Sequence, residues 1–568
     1  MILSMAAMFG IVLTACKDEF LEVAPTNSLS STELSSQAGL DGSVVAAYSI
    51  LLGRGGFYSD ASNWFWGGVL GGDANKGSDP GDQSQVNEIQ TYSAQTTNAS
   101  VFEKYERTFE GVARANAALR LAEVAIENGE VDSDFITRIQ GEARFLRGHY
   151  YFDLKKNFGD VPYVDETWDE VTVIANDQDL WPFIEADFQF AFDNLPGTQS
   201  DAGRANSWAA GAYLGKALLY QGKYAEAKAI FDQVIANGTT ASGEPYALVD
   251  NYSENFSSLF DNNAESVFAI QAAAGTGTVN NANPGQVLNF PHGGGDRPGG
   301  CCGFNQPSFE LANSFRTDAN GLPLLDGSYN SSANELVTDF GLGSDEDFTP
   351  DTGNLDPRLD HSIGRRGIAY LDWGLHPGND WIRQASNGGP YSPKKYQYSQ
   401  GGQGVENDAS SWTPGYTAVN VQIIRFADVL LMAAEAEVEL NNLTDALDLV
   451  NQVRTRAAND VVLDTLGAPA ANYVVNPYTS FASQDEARSA VRFERRLELS
   501  GEGHRKYDLV RWGVAAETLN AFIDYESGFL GGAYTGATFT ANQDELLPIP
   551  QAEIDLNGAD MLSQNPGY

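Results

Sequence analysis

The sequence predicts a mainly α-helical protein built from helical hairpins that stack on one another. The clearest hairpin spans residues 208–237. Gly211 and Gly215 allow two helices to approach closely, and Gly222 interrupts the helical pattern between them. In the second half, apolar side chains such as Phe231 and Val234 recur at the spacing of one helix face. These features are typical of a helical hairpin of the tetratricopeptide (TPR) type.

A second copy of this hairpin lies far downstream, at a constant offset and without a gap. Ala434-Glu-Ala436 takes the place of Gly215-Lys-Ala217, and Asn441 takes the place of Gly222. Hairpins of this kind cannot bury their apolar faces alone, so more of them should flank these two. The repeats occur on both sides of a long middle segment, which favours one interleaved body over independent modules.

The charge composition restricts the partners of the protein. The chain has 568 residues, with 34 basic against 76 acidic side chains and a formal net charge of -42. Such a surface repels nucleic acid, anionic lipid and polyanionic ligands, which argues against them as partners. No HExxH pair and no Cys-x-x-Cys motif appears, so a transition-metal enzyme is not indicated.

The N-terminal segment indicates export and lipidation. An apolar run over residues 2–13 ends in Thr-Ala-Cys16, which resembles the cleavage site of a lipoprotein signal. We expect a signal peptide over 1–15 and a lipidated N-terminus with a tether over 16–36, anchored through Cys16. The alternative is a buried cysteine in an apolar segment. Lys17-Asp18-Glu19 resembles the signal that sends Bacteroidetes lipoproteins to the extracellular face of the outer membrane.

Several separate motifs resemble the SusD/RagB family of surface glycan-binding lipoproteins. They are residues 142–154, 158–164, 489–513 and 546–568. The resemblance implies a SusD-like fold with about four TPR-like hairpin pairs, long irregular loops and minor β structure. It also implies one domain over 37–568, with a scaffold at 37–238 and 421–568 and a loop-rich glycan-binding insertion at 239–420. A SusC-type TonB-dependent transporter is the partner that it implies.

A glycan site needs flat aromatic rings for stacking and polar neighbours for the hydroxyl groups. Loop-borne tryptophans therefore mark the candidates. Trp64 and Trp66 precede Gly67 and Gly68, which would leave room for a ligand, and Trp381 has Arg383 as a hydrogen-bonding neighbour. For two further loop tryptophans, packing beneath the loops is an equally good interpretation; these are Trp373 and Trp412. The predicted glycan-binding residues are Tyr58, Asn63, Trp64, Trp66, Trp381 and Arg383.

Two further loop features allow more than one interpretation. Asp73, Asp79 and Asp82 lie in a Gly-rich turn that could ligate calcium, although it lacks the spacing and terminal Glu of an EF-hand, and a structural turn is favoured. No other cofactor is expected. Cys301 and Cys302 are adjacent, and in an exported protein they either form a disulfide, which would be a rigid apolar support for a sugar ring, or remain free thiols.

The sequence therefore predicts a surface receptor without catalytic residues. It would bind an oligosaccharide or polysaccharide, and the acidic composition favours a neutral β-glucan. One alternative is a surface glycoside hydrolase, because 76 acidic residues offer many carboxylate pairs whose separation only the fold decides. The other is a TPR adaptor without a sugar site.

Overall fold

Helices dominate the computed structural model, which describes residues 31–168 and 171–568. The α-helices are α1 Ser31–Leu34, α2 Gln37–Tyr48, α3 Asn87–Gln90, α4 Ala99–Asn128, α5 Ser133–Phe158, α6 Trp181–Asn194, α7 Ser207–Tyr220, α8 Tyr224–Asn237, α9 Phe309–Ser314, α10 Arg358–Ser362, α11 Ala385–Gly388, α12 Phe426–Glu439, α13 Leu443–Asn459, α14 Gln484–Glu498, α15 Arg505–Arg511, α16 Ala515–Leu530 and α17 Gln551–Asn557. The strands are β1 Ala74–Gly77, β2 Ser266–Ile270, β3 Phe304–Pro307, β4 Ile363–Gly364, β5 Ser392–Pro393, β6 Asn407–Asp408, β7 Tyr416–Thr417 and β8 Val421–Arg425. The predicted mainly α class with minor β structure is confirmed.

The two hairpins that align in the sequence are hairpins in the structure, formed by α7 with α8 and by α12 with α13. Between their helices, Gly222 and Asn441 both adopt the left-handed conformation, with φ of 70° and 63°. A glycine or an asparagine reverses the chain there at the lowest steric cost. The equivalent side chains Phe231 and Val450 are both fully buried, as the shared apolar spacing predicts.

Successive helices pack against one another from α4 to α8. Helix α8 then packs against α12, and α12 contacts both α13 and α14, so the second hairpin continues the stack begun by the first. Small residues set the distance between helices, because a Cβ at Gly215 would collide with the Phe231 ring and one at Gly111 with the Tyr150 ring. This packing confirms the role that the sequence assigns to the small residues of α7.

The long insertion is joined to the stack by strands and by buried charges. Strand β2 pairs with β8, which leads directly into α12. Arg358, from the insertion, forms ion pairs with Glu494 and Glu498 of α14, at 2.6 and 3.0 Å. All three side chains are fully buried, so loss of one partner would leave an uncompensated charge in the core at a cost of about 3–5 kcal/mol. The acidic and basic side chains of α14 thus form a buried ion-pair network with other segments of the chain.

The segment between α2 and α4 packs with the insertion. Strand β1 pairs with β3 in antiparallel register, with Ala74 opposite Pro307 and Gly77 opposite Phe304. The predicted scaffold boundary at residue 238 therefore separates two segments that lie together, residues 57–82 and the loops after residue 282. Both segments take part in the candidate site.

Candidate functional site

The aromatic segment that the sequence places in a ligand-binding loop lies in the core. Trp64 and Trp66 are 1% and 0% exposed, and their indole N–H groups donate to the carbonyl oxygens of Phe57 and Tyr58. Gly67 leaves no room for a ligand, because a Cβ there would collide with the Gly503 carbonyl oxygen. The structure therefore corrects the prediction for Trp64 and Trp66: neither ring presents a face on which a sugar can stack.

The two polar neighbours predicted with these rings are also interior. Tyr58 and Asn63 are each 3% exposed. The Asn63 amide donates to Asp153 Oδ1 at 2.9 Å, within the scaffold. Burial, together with the charges of Asp82 and Glu103, raises the pKa of the Tyr58 hydroxyl well above its usual value. Neither side chain can reach a ligand on the surface, so the prediction for Tyr58 and Asn63 is wrong.

Trp381 and Arg383 are occupied by contacts within the protein. Trp381 is 4% exposed and packs in a satellite core beneath the loops; the other buried members of this core are Phe290, Tyr370, Trp373 and Tyr398. The Arg383 guanidinium forms ion pairs with Asp79 and Asp82 and donates to Ser78 Oγ at 2.9 Å. Trp381 therefore offers no stacking face, and the charge of Arg383 is already neutralised.

In the Gly-rich turn, the positively charged side chains of Lys76 and Arg383 contact two of the acidic residues that could have bound calcium. Lys76 Nζ donates to the carbonyl oxygens of Asp79 and Asp82 at 3.0 and 2.8 Å, and Arg383 bridges their carboxylates. Burial lowers the pKa of Lys76 to about 8. Asp73 lies apart and accepts from the Gly501 N–H at 3.0 Å. In the described residues, no group of three or more His, Cys, Asp or Glu side chains could hold a metal ion.

The most exposed aromatic side chain in residues 31–168 and 171–568 is instead Trp412, which is 55% exposed. Two rings hold the indole edge-on: Phe57 at a centroid distance of 6.4 Å and Tyr416 at 6.2 Å, with interplanar angles of 73° and 82°. The Trp412 indole N–H also donates to the Tyr416 hydroxyl at 3.0 Å. Its orientation is therefore fixed before any ligand arrives, which lowers the entropic cost of binding.

A disulfide lies directly beside this tryptophan loop. Cys301 and Cys302 are bonded to each other, and the role of this disulfide as a support for a sugar ring stays a prediction. The Thr413 hydroxyl donates to the Gly299 carbonyl at 2.7 Å, and a Cβ at Gly300 would lie 3.7 Å from the Pro414 ring. We call the surface formed by Phe57, residues 299–303 and residues 412–416 the aromatic platform.

A positively charged side chain lies at the edge of the aromatic platform. Arg297 is half-buried, and its Nη2 donates to the Gly300 carbonyl at 3.0 Å. Burial lowers the pKa of its guanidinium, with a smaller opposing effect from Tyr398. His292, nearby in the same loop, has a pKa lowered first by burial and then by the charges of Arg383 and Arg297. Neither Arg297 nor His292 belongs to the set predicted from the sequence.

Comparison with known proteins assigns the family. Residues 264–568, more than half of the chain, match the family model described as the SusD family. The chain belongs to the SusD family. Residues 19–219 match a second model, described as starch-binding and associating with the outer membrane. A SusD-like protein of Formosa agariphila, P2, is 25% identical to this SusD-family chain over 542 residues, which cover 91% of each chain.

Solved SusD-family structures share the whole fold. A SusD superfamily protein from Bacteroides vulgatus has a TM-score of 0.67 at 22% identity and covers 94% of this chain and 99% of its own. A laminarin-binding SusD-like protein has a TM-score of 0.64 at 24% identity, with 94% and 99% coverage. At these identities the similarity shows the fold alone, and the predicted SusD-like fold is confirmed.

The N-terminal predictions for this SusD-family chain remain predictions. Cys16 and the Lys17-Asp18-Glu19 sequence lie outside the described residues. Across 31–168 and 171–568, no helix combines the length and the apolar composition that a membrane span needs.

Proposed function

We propose that this SusD-family protein is a surface glycan receptor and that the aromatic platform is its binding site. The observation that carries the proposal is the exposure of Trp412. All nine tryptophans lie in the described part of the chain, and Trp412 alone among them is an exposed residue. Sugar rings have apolar C–H faces that stack on such a ring. The fixed orientation of Trp412, the adjacent disulfide and the polar edge at Arg297 support this assignment.

The favoured ligand is a neutral β-glucan. One solved protein with the same fold binds laminarin, a β-glucan. A net charge of -42 also disfavours a polyanionic glycan, because the whole protein repels it. Binding should accordingly change little with salt concentration.

Calorimetry with laminarihexaose tests the proposal. We expect saturable binding by wild-type protein and no release of new reducing ends during prolonged incubation. Binding should be strongly weakened in Trp412→Ala and unchanged in Leu466→Ala, which removes an apolar side chain that is 91% exposed in a different loop. Sustained hydrolysis would favour a glycoside hydrolase. A blank result across a glycan array, with binding of a protein partner retained, would favour an adaptor.

The delivery step involves a membrane anchor and a transporter. We place lipid on Cys16 and propose that a SusC-type TonB-dependent transporter receives the glycan, with the helical stack as the docking surface. Fatty-acid labelling should disappear in Cys16→Ala, and the variant should be released from membranes. Affinity purification from native outer membranes should recover a large barrel protein; repeated failure to recover one would contradict the transporter proposal.

A further inference from the structure

The side chain of Arg297 is fixed by backbone carbonyl groups at the edge of the aromatic platform. Its Nε, Nη1 and Nη2 donate to the carbonyl oxygens of Pro291, Gly295 and Gly300 at 3.4, 3.3 and 3.0 Å. A guanidinium has five N–H groups. These three bonds leave one N–H on each terminal nitrogen, in a plane that the loop holds in place.

The charge of Arg297 is not neutralised by the protein. Within residues 31–168 and 171–568, no carboxylate oxygen lies within 4 Å of its guanidinium nitrogens, whereas Arg383 beside it has Asp79 and Asp82 as partners. Its remaining donors are therefore available to a ligand. A donor attached to a charged group forms a stronger hydrogen bond than a neutral one.

Two contacts connect Arg297 to the stacking ring. Gly300 accepts the hydrogen bond from Arg297 Nη2 and faces the ring of Pro414, which follows Trp412 by two residues. The Gly299 carbonyl next to it accepts from Thr413. The guanidinium and the indole thus lie on two loops that contact each other.

We propose that Arg297 is the polar specificity residue of the platform: its two remaining N–H groups bind neighbouring hydroxyl groups of the sugar that stacks on Trp412. This inference rests on the glycan receptor proposed above. A planar pair of N–H groups matches two oxygen atoms held side by side, as adjacent ring hydroxyls are. Stacking alone tolerates many sugars, whereas a fixed donor pair rejects a ring that lacks either hydroxyl.

Two exposed carboxylates on these loops, Asp296 and Asp372, add to the negative charge of the protein. The side-chain amide of Gln400 donates to Asp296 and its backbone N–H donates to Asp372, both at 2.6 Å, and both acids are exposed. Together with the net charge of -42, these exposed acids disfavour a sulfated or uronic acid glycan as the ligand.

Arg297→Lys tests the inference, because lysine keeps the charge and loses the planar donor pair. We expect its affinity for laminarihexaose to fall at least tenfold in calorimetry. Arg366→Lys is a matched control: Arg366 is also half-buried and also donates to three backbone carbonyls, those of Gly343, Ser344 and Glu346, in another loop. We expect this control to bind as wild type does.

Deoxygenated laminari-oligosaccharides separate direct contact from loop support. If Arg297 binds the hydroxyls, one deoxy sugar should bind wild type more weakly but lose nothing further in Arg297→Lys, so the two effects are not additive. Full additivity for every deoxy position would mean that Arg297 only shapes the loop, and would overturn the inference. Wild-type affinity in Arg297→Lys, with weakened binding in Trp412→Ala, would overturn it while leaving the receptor proposal intact. Absence of binding by wild type would contradict the proposed β-glucan ligand instead.

Discussion

Truncation of Trp412 is the most direct test of the platform, and the structure gives its expected magnitude. A tryptophan side chain offers about 150–250 Å² of surface. Since 55% of this residue is exposed, roughly 80–140 Å² is open to a ligand. At about 25 cal/mol per Å², a sugar that covers this area gains ~2–3.5 kcal/mol. Trp412→Ala should therefore weaken glycan binding by about 30-fold or more, since 1.4 kcal/mol corresponds to a factor of ten.

The assay must separate loss of binding from loss of fold. Trp412 contacts its neighbours mainly through Phe57 and Tyr416 at the surface, so we expect the melting temperature of Trp412→Ala to stay close to that of wild type. Calorimetric titration with laminarihexaose, beside a thermal melt of the same sample, measures both quantities. Unchanged affinity in a folded Trp412→Ala protein would refute the reasoning, because the largest exposed ring of the platform would then contribute nothing.

Three further predictions concern stability and the support of the platform. Trp66→Ala should cost about 3–5 kcal/mol in chemical denaturation, because it empties a fully buried site; a change below ~1 kcal/mol would contradict its core position. Burial, helped by the charge of Glu310, raises the pKa of Glu526 to about 8, so the folded state holds a proton that the unfolded state releases near pH 4.5. This contribution to stability is complete below pH 4.5 and is lost as the pH rises toward 8. The free energy of unfolding of Glu526→Gln should therefore fall less over this pH range than that of wild type. An equal pH dependence of the free energy of unfolding in both proteins would contradict the prediction. Replacement of both Cys301 and Cys302 by serine should weaken laminarihexaose binding without abolishing it, because the loop that carries the disulfide contacts the Trp412 loop. Equal affinities of the double variant and wild type in calorimetry would show that binding does not need the disulfide.

The sequence was sufficient for the helical scaffold because that information is local. Helix periodicity, small residues at close contacts and a chain-reversing residue between helices all act within about thirty residues. Gly222 and Asn441 illustrate this: they occupy equivalent positions in the two aligned hairpins, and both adopt the left-handed conformation in the structure.

The residues of the candidate site differ from those predicted: the predicted tryptophans are buried, and the exposed one is Trp412. A tryptophan in a loop has the same local pattern whether it fills a satellite core, as Trp381 does, or remains open, as Trp412 does. A glycine in the sequence is equally ambiguous, because the space beside it can be filled by a ligand or by the protein itself. The space beside Gly67 is filled by the backbone of Gly503.

The sequence by itself therefore determined the helical hairpins, the loop-rich middle and the family resemblance. Only the tertiary structure decided that Trp412 is exposed and that Arg297 has no carboxylate within ion-pair distance among the described residues. The physical reason is that exposure depends on contacts between segments far apart in the chain. Residues 57–66, 283–303 and 398–416 cover one another's aromatic rings, and what remains uncovered is a property of their joint packing, which no single segment encodes.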